Sequence, residues 1–352
     1  MTDPLKGPVR VSAQALNQFS RDLFVAKGVA PHHAQTMANA LTWADLRGVD
    51  THGISRVPMY FRLLDSQEMN PQPQLRILQE TLALSVLDAD RSAGPIAMQE
   101  ATDMAMKKAK HTGVGLVMVR NTTHTASLGC YSEKVAKAGM ACIALAASRP
   151  NMGYYGAKAA GVSTAPFSLA VPGPNGQAII LDMASGIVSL GKLAQLKAKN
   201  EQLQPGWALD ADGEETIDPQ KALIPLPLGG PKGSGMSLMF ELLASLPVLN
   251  PLIGHFFSGK EDAQRHCQNA WIIAVDISQV CPEASFQEEM LNTIQVLKSL
   301  PVDEKVGTEI LMPGERGYKE REKREAKGVP IPAKMQATLI DLAKKYNVAS
   351  PF

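Results

Sequence analysis

MACIALAASRPNMGYYGAKAAGVSTAPFSLAVPGPNGQAIILDM, residues 140–183, is the stretch on which the fold turns. Three apolar runs of strand length lie in it, at 140–148, 163–172 and 177–183, separated by segments rich in Gly, Pro and Asn. Upstream, VGLVMVR (114–120) reads as a buried strand, and downstream WIIAVDI (271–277) reads as another. LRILQE and LALSVLDAD, from Leu75 to Asp90, are two further short strands. Between them and Val114, a helix is predicted over 94–110, with Ala97, Met98, Ala101, Met104 and Ala105 on one face. Helices are also predicted at 188–200 and 237–246, with a glycine loop, GGPKGSG (229–235), between.

The ends of the chain are helical in pattern. Ser12 caps a helix to about Lys27, Pro31 opens another to about Arg47, and an amphipathic piece follows at 57–64. The tail gives helices at 286–300, 318–327 and 332–346. Helical ends around a strand-rich centre predict that the two termini fold together. Residues 1–117 with 283–352 form one domain, and 118–282 are inserted into it.

Composition narrows the function classes. A chain of 352 residues suits two or three packed units. Its 35 basic and 34 acidic residues leave a net charge of +1, which argues against a nucleic-acid footprint or a polybasic membrane surface. Residues 1–13 carry no apolar signal-peptide core. The apolar stretch 242–257 is interrupted by Pro247, Asn250, Pro251 and Gly254, so it does not read as a bilayer span of about 20 residues. Cys130, Cys142, Cys267 and Cys281 form no CxxC pair and read as reduced thiols of a cytoplasmic protein, with no metal site.

No GxGxxG joins a strand to a helix, so a dinucleotide would need a cradle other than a Rossmann unit. Gly186–Lys192 imitates a Walker loop, but Leu193 stands where a hydroxyl must hold magnesium. Three other regions look chemical. In ADLRGVDTHGISR (44–56), His52 can exchange a proton near neutrality, and the Arg56 fork suits a carboxylate. Arg56 paired with Asp45 or Asp50 is the structural alternative. In RNTTHTASLG (120–129), His124 follows a strand end; a helix cap by Thr125 is the alternative there. The third region is phosphate-like: LDMASG (181–186), GGPKGSG (229–235) and MPGER (312–316). It offers glycine amides, Lys232 as a point charge, and Asp182 for ribose hydroxyls.

Together and in this order, these stretches resemble the type 2 malate/L-lactate dehydrogenase family. LDMASGIVSLGK (181–192), QPGWALDADG (204–213), PLGGPKGSG (227–235) and MPGERGYKEREKR (312–324) carry the likeness with the two histidine motifs, over nearly the whole chain. That family also includes ureidoglycolate and sulfolactate dehydrogenases, a diketogulonate reductase and a cyclic imine reductase. The resemblance implies an α/β (α+β) fold that is not Rossmann, with a mainly antiparallel sheet and packed helical ends. It implies a homodimer that binds NAD or NADP and no metal. The implied reaction passes a hydride between nicotinamide and a small 2-hydroxy or 2-oxo acid.

Carried over by residue, His52 and His124 fall on the two active-site histidines. His124 is favoured as acid/base, with His52 and Thr51 beside it. Arg56 falls on the substrate-carboxylate arginine, and Thr164 lies on the substrate side. Asp182, Met183, Ala184, Lys232, Gly233, Pro313, Gly314, Glu315 and Arg316 fall on cofactor contacts. Departures cluster toward the substrate. Thr51 replaces serine, Thr125 and Ala126 replace Phe-Gly, Ala165 replaces asparagine, and Pro231 and Ser234 replace tyrosines. Lys192 stands where the imine reductase pattern has an acidic relay. A cyclic 2-imino acid reductase and a dinucleotide-binding protein without turnover are the alternatives.

Overall fold

The computed structural model describes residues 8–352, so the reading of residues 1–13 as lacking a signal-peptide core falls partly outside it. Helix α1 (Ala13–Ala26) starts where the Ser12 hydroxyl accepts the Ala15 amide at 3.2 Å. It buries Leu16, Phe19, Leu23 and Phe24. Helix α2 (Pro31–Leu46) opens on proline, whose fixed φ suits a first turn. A short 3-10 turn (Ile54–Arg56) leads into α3 (Val57–Asp65). The C-terminal helix α11 (Ala333–Tyr346) returns to these three, placing Leu339 and Ala343 in the same core. Strand β1 (Val9–Val11) pairs antiparallel with β13 (Val329–Ile331), so both chain ends share one core. Full burial of a side chain such as Phe24 contributes about 1.5–3 kcal/mol.

The centre is a seven-stranded sheet in the order β2-β3-β4-β12-β5-β8-β9. Its strands are β2 (Arg76–Glu80), β3 (Leu84–Asp88), β4 (Val114–Thr122), β5 (Met140–Ser148), β8 (Pro166–Pro172), β9 (Ala178–Ala184) and β12 (Gln268–Asp276). Every neighbouring pair is antiparallel except β3 with β4. Helices α4 (Gly94–Thr112) and α5 (Gly129–Lys137) cover one face. Alternation sends Cys142, Ala144 and Ala146 of β5 toward them and Leu145 and Ala147 to the other face. There Leu145 and Ala147 meet Ala244 of α7 (Pro231–Ser245) and Leu252 of α8 (Leu252–Phe256). Helix α6 (Leu190–Lys199), the short strand pairs β6 (Met152–Gly153) with β7 (Ala160–Val162) and β10 (Ala208–Leu209) with β11 (Ile224–Pro225), and helices α9 (Glu283–Lys298) and α10 (Glu315–Lys327) complete the described elements.

The structure differs from the sequence reading at definite places. The stretch read as a glycine loop over 229–235 is helical from Pro231. Gly229 and Gly230 turn the chain at φ +61° and +60°, and proline then starts the helix. A Cβ on Gly233 would lie 2.6 Å from the Leu228 backbone and the Ser185 carbonyl, so only glycine lets the helix dock there. Strand β8 starts at Pro166, not Ser163, whose hydroxyl is already taken by the Ser148 and Ala165 amides. Helix α5, weighed in the sequence only as a helix capped by Thr125, begins instead at Gly129 with Leu128 at its N-cap. The point between residues 117 and 118 falls inside β4, and β3 pairs with that strand from the N-terminal side of it.

A buried carboxylate joins the layers. Glu133 of α5 accepts from the Trp43 indole of α2, the Tyr318 hydroxyl of α10 at 2.7 Å and Arg47 at 3.4 Å. The Arg47 and Glu133 side chains are only 4% and 5% exposed. Arg47 also stacks 4.1 Å from the Tyr318 ring and donates to the Gly314 carbonyl at 2.9 Å. Burial pushes the Glu133 carboxyl up, but the Trp43 and Tyr318 bonds, with Lys137 and Arg47, bring it below the ordinary value of 4.5. Its contribution is therefore complete above that value and is lost as pH falls through the lowered one. Glu133→Ala strands Arg47 without its carboxylate. It should cost about 3–5 kcal/mol in urea unfolding at pH 7. A loss under 1 kcal/mol would show that this network does not hold the layers together.

Candidate active site

The segment after α2 is set by Asp45, which is buried at the last turn of that helix. Its Oδ2 accepts the Ile54 amide at 2.8 Å, and a Cβ on Gly53 would lie 1.7 Å from its Oδ1. Burial pushes the Asp45 carboxyl up to about 8. Arg324 of α10 donates to the Asp45 carbonyl at 2.7 Å and to Asp50 Oδ1 at 2.5 Å. These bonds overturn the structural alternative for Arg56: Asp45 is spent on Ile54, and Asp50 on Arg324. Arg56 donates through Nε to the Thr51 carbonyl. Among the described residues, no carboxylate comes within 4.0 Å of it. The Thr51 hydroxyl lies 2.9 Å from His52 Nδ1.

His124 stands just beyond β4, in a loop held from three sides. The Gln268 side chain accepts the Thr125 amide at 3.1 Å, and the Tyr131 hydroxyl donates to the Thr125 carbonyl at 2.9 Å. The Tyr60 hydroxyl lies 3.1 Å from both His124 Nδ1 and the His124 carbonyl oxygen. Thr125 does not cap the following helix. Asp182 reaches over from β9, and its Oδ2 accepts the Gly129 amide at 2.8 Å and the Ser127 hydroxyl at 2.6 Å. The His52 and His124 rings are stacked, with centroids 5.6 Å apart and planes 26° apart. Burial, followed by the Arg56 charge, holds His52 down at about 4. The same causes, with His52 and His266 added, hold His124 well below the ordinary 6.5. Both rings are therefore neutral at neutral pH.

A cleft of about 340 Å³ opens beside His52. Asp182, Met183 and Ala184 line it from β9, and Pro313, Gly314 and Arg316 from the segment before and at the start of α10. Strand β9 is what brings the phosphate-like stretches together. The Ile180 amide donates to the Pro313 carbonyl at 3.0 Å, and the Leu228 amide to the Ser185 carbonyl at 2.9 Å. Lys232 and Gly233 do not line the cleft; they stand at the start of α7, where the Gly233 amide donates to the Leu228 carbonyl at 2.9 Å. Glu315 is turned aside: its carboxylate takes Lys298 at 2.6 Å and the Met312 amide at 2.9 Å. Thr164 sits with Asn151 and Ser185, and no hydrogen bond joins it to either histidine among the described residues.

Sequence reasoning missed four contributors. Tyr60 lies four residues after Arg56, a helical spacing that could have flagged it. Trp43 and Arg47 line the cleft, and both flank or belong to the quoted first motif. Gly191 brings α6 against Thr51, since a Cβ there would lie 2.9 Å from Thr51 Cγ2.

Comparison with known proteins agrees with this architecture. The family model described as malate/L-lactate dehydrogenase matches residues 11–340. The chain is 31% identical over 353 residues to a malate dehydrogenase of Pyrococcus abyssi, covering 97% of this chain and 96% of that one. It is 33% identical over 307 residues to an L-sulfolactate dehydrogenase of Methanocaldococcus jannaschii, covering 86% and 88%. The solved malate dehydrogenase of Pyrococcus horikoshii OT3 superposes with a TM-score of 0.87 at 28% identity, covering 99% and 100%. With the mixed α/β fold and a mostly antiparallel sheet behind the two-histidine site, these matches show that the chain belongs to the malate/L-lactate dehydrogenase family.

Proposed function

We propose that this protein is a nicotinamide-dependent oxidoreductase interconverting a small 2-hydroxy acid and its 2-oxo acid, with NAD or NADP held outside any Rossmann unit. One observation carries the reading: Arg56, a half-buried guanidinium without a carboxylate partner among the described residues, stands next to two stacked neutral histidines. A lone buried cation is costly unless an anion joins it, and a substrate carboxylate supplies one.

The residues present fit a dinucleotide. Asp182 keeps Oδ1 free for ribose hydroxyls, because Oδ2 alone takes the bonds to Ser127 and Gly129. Ser185 Oγ is buried between β9 and α7, without a hydrogen-bond partner among the described residues. The first-turn amides of α7 are already bonded, Lys232 to Gly229, Gly233 to Leu228 and Ser234 to Gly230. Phosphate charge therefore falls to the exposed side chains of Lys232 and Arg316 rather than to glycine amides. Bound there, nicotinamide supplies the hydride acceptor or donor. In the direction of oxidation, neutral His124 takes the hydroxyl proton as hydride leaves carbon, with His52 and Thr51 shaping the pocket. Arg56 fixes the carboxylate and Thr164 lies on the substrate side.

We place the enzyme in the cytoplasm, in keeping with four free cysteines and with no helix among the described residues long and apolar enough to cross a membrane. We also propose a homodimer. Ile143, Leu169 and Leu181 lie side by side in register across β5, β8 and β9, 44%, 40% and 38% exposed. Such an apolar row on an open sheet face suits a second copy.

Oxidation of each reduced cofactor with a panel of 2-oxo acids and cyclic imines tests the activity. Turnover of imines alone would reassign the substrate, and turnover of neither would leave a binding protein. Arg56→Ala should lower kcat/KM for acids at least tenfold, consistent with about 2–5 kcal/mol for such a contact, while cofactor affinity holds. Equal loss of both would make Arg56 structural. His124→Ala should lower kcat by about 10²–10⁴-fold. Because burial and Arg56 hold both histidines down, no inflection is expected near neutrality. With native protein, kcat/KM for oxidation should stay level above pH 6.5 and fall only on the acid side. Lys232→Ala should weaken dinucleotide binding in calorimetry without altering the pH profile. Unchanged affinity would remove Lys232 from the cofactor site.

A further inference from the structure

Tyr60 is fully buried, its hydroxyl aimed at His124 rather than at the cleft. Phe24 holds its ring edge-on, with centroids 5.9 Å apart. The phenol oxygen lies 3.1 Å from two atoms of one residue, the His124 carbonyl oxygen and His124 Nδ1. A phenol has a single proton to give, and a carbonyl can only accept. Among the described residues, no other group donates to the His124 carbonyl. If the Tyr60 proton goes there, its oxygen lone pair faces Nδ1, and the ring must supply the proton of that second bond.

We infer that Tyr60 is a positioning residue that holds His124 in the Nδ1–H tautomer, leaving Nε2 bare to exchange a proton with the substrate oxygen. The inference rests on His124 being the acid/base group. All three polar atoms are then satisfied: Nδ1–H donates to Tyr60 Oη, and Tyr60 O–H donates to the carbonyl. When Nε2 takes the hydroxyl proton, the substrate O–H bond breaks, a new N–H bond forms and the ring becomes imidazolium. Neither bond to Tyr60 has to reorganise, because the cation also carries Nδ1–H. Burial raises the Tyr60 pKa far above ordinary values, so the phenol keeps its proton throughout. A buried partner fixing one imidazole nitrogen while the other reacts is a general device of histidine catalysis.

A competitor makes the inference sharp. The Ala126 amide points at the same Nδ1 from 3.3 Å. An amide can only donate, so it favours the opposite tautomer, with the proton on Nε2 and no lone pair for the substrate. Tyr60 therefore has to outweigh Ala126.

Tyr60→Phe leaves the ring and removes only the hydroxyl. The His124 imidazole should then turn to Nε2–H under the Ala126 amide. Nitrogen-15 NMR of the imidazoles, with His124 assigned among the seven histidines by its loss in His124→Ala, should show Nδ1 protonated in native protein and Nε2 protonated in the variant. The kcat for oxidation should fall at least about tenfold with KM within about twofold. In a His124→Ala background, Tyr60→Phe should lower kcat no further. The inference is overturned if both proteins show the same tautomer, if Tyr60→Phe keeps native kcat, or if it lowers kcat equally without His124. Should His124→Ala by itself leave the rate intact, the acid/base reading fails instead, and the tautomer measurement still decides the role of Tyr60.

Discussion

The Glu133 carboxylate is the point at which separate parts of the chain become one site. It receives Trp43 and Arg47 from the N-terminal helices and Tyr318 from the C-terminal region, while itself belonging to a helix on the sheet. Arg47 then holds the Gly314 carbonyl, and Tyr318 accepts the Ala178 amide at the start of β9. Each of these contacts fixes a wall of the cleft. Because the ion pair is almost without solvent, its geometry is decided by hydrogen bonds rather than by charge alone. The cleft is consequently as rigid as the packing of α2, α5 and α10 around one carboxylate.

Charge is distributed differently a few ångströms away. The two arginines buried among the described residues have anions: Arg47 has Glu133, and Arg324 has Asp50 and Glu320. Arg56, beside the histidines, has no carboxylate within 4.0 Å among the described residues. Its charge helps keep His52 and His124 neutral while the site is empty of anions. An incoming carboxylate would cancel that field and make protonation of the rings easier. On the proposed role of Arg56, a bound carboxylate and the proton affinity of the rings would be linked through a single guanidinium, without any moving part.

Much of this was legible in the sequence. Helices with local start signals, such as Ser12 and Pro31, begin where those residues place them. The strands with apolar runs are all present. Errors arose where the signal was distant. Helix α5 has no polar residue at its own N-cap, because the cap is a carboxylate 53 residues downstream in Asp182. The glycines before Pro231 looked like loop, since nothing local says that Gly233 must let a helix touch the backbone at Leu228 and Ser185.

The sequence by itself determined which residues could do chemistry: two histidines with hydroxyl neighbours, an arginine one turn on, and glycine- and lysine-bearing stretches in a family order. Side-chain chemistry and spacing along a helix are local properties, so they survive in a string of letters. Only the tertiary structure decided that Arg56 meets no carboxylate among the described residues, that Asp50 answers to Arg324, and that a phenol from α3 faces a histidine 64 residues later. Partners and burial set the charge state and tautomer of a group, and both are fixed by which distant segments the fold brings together.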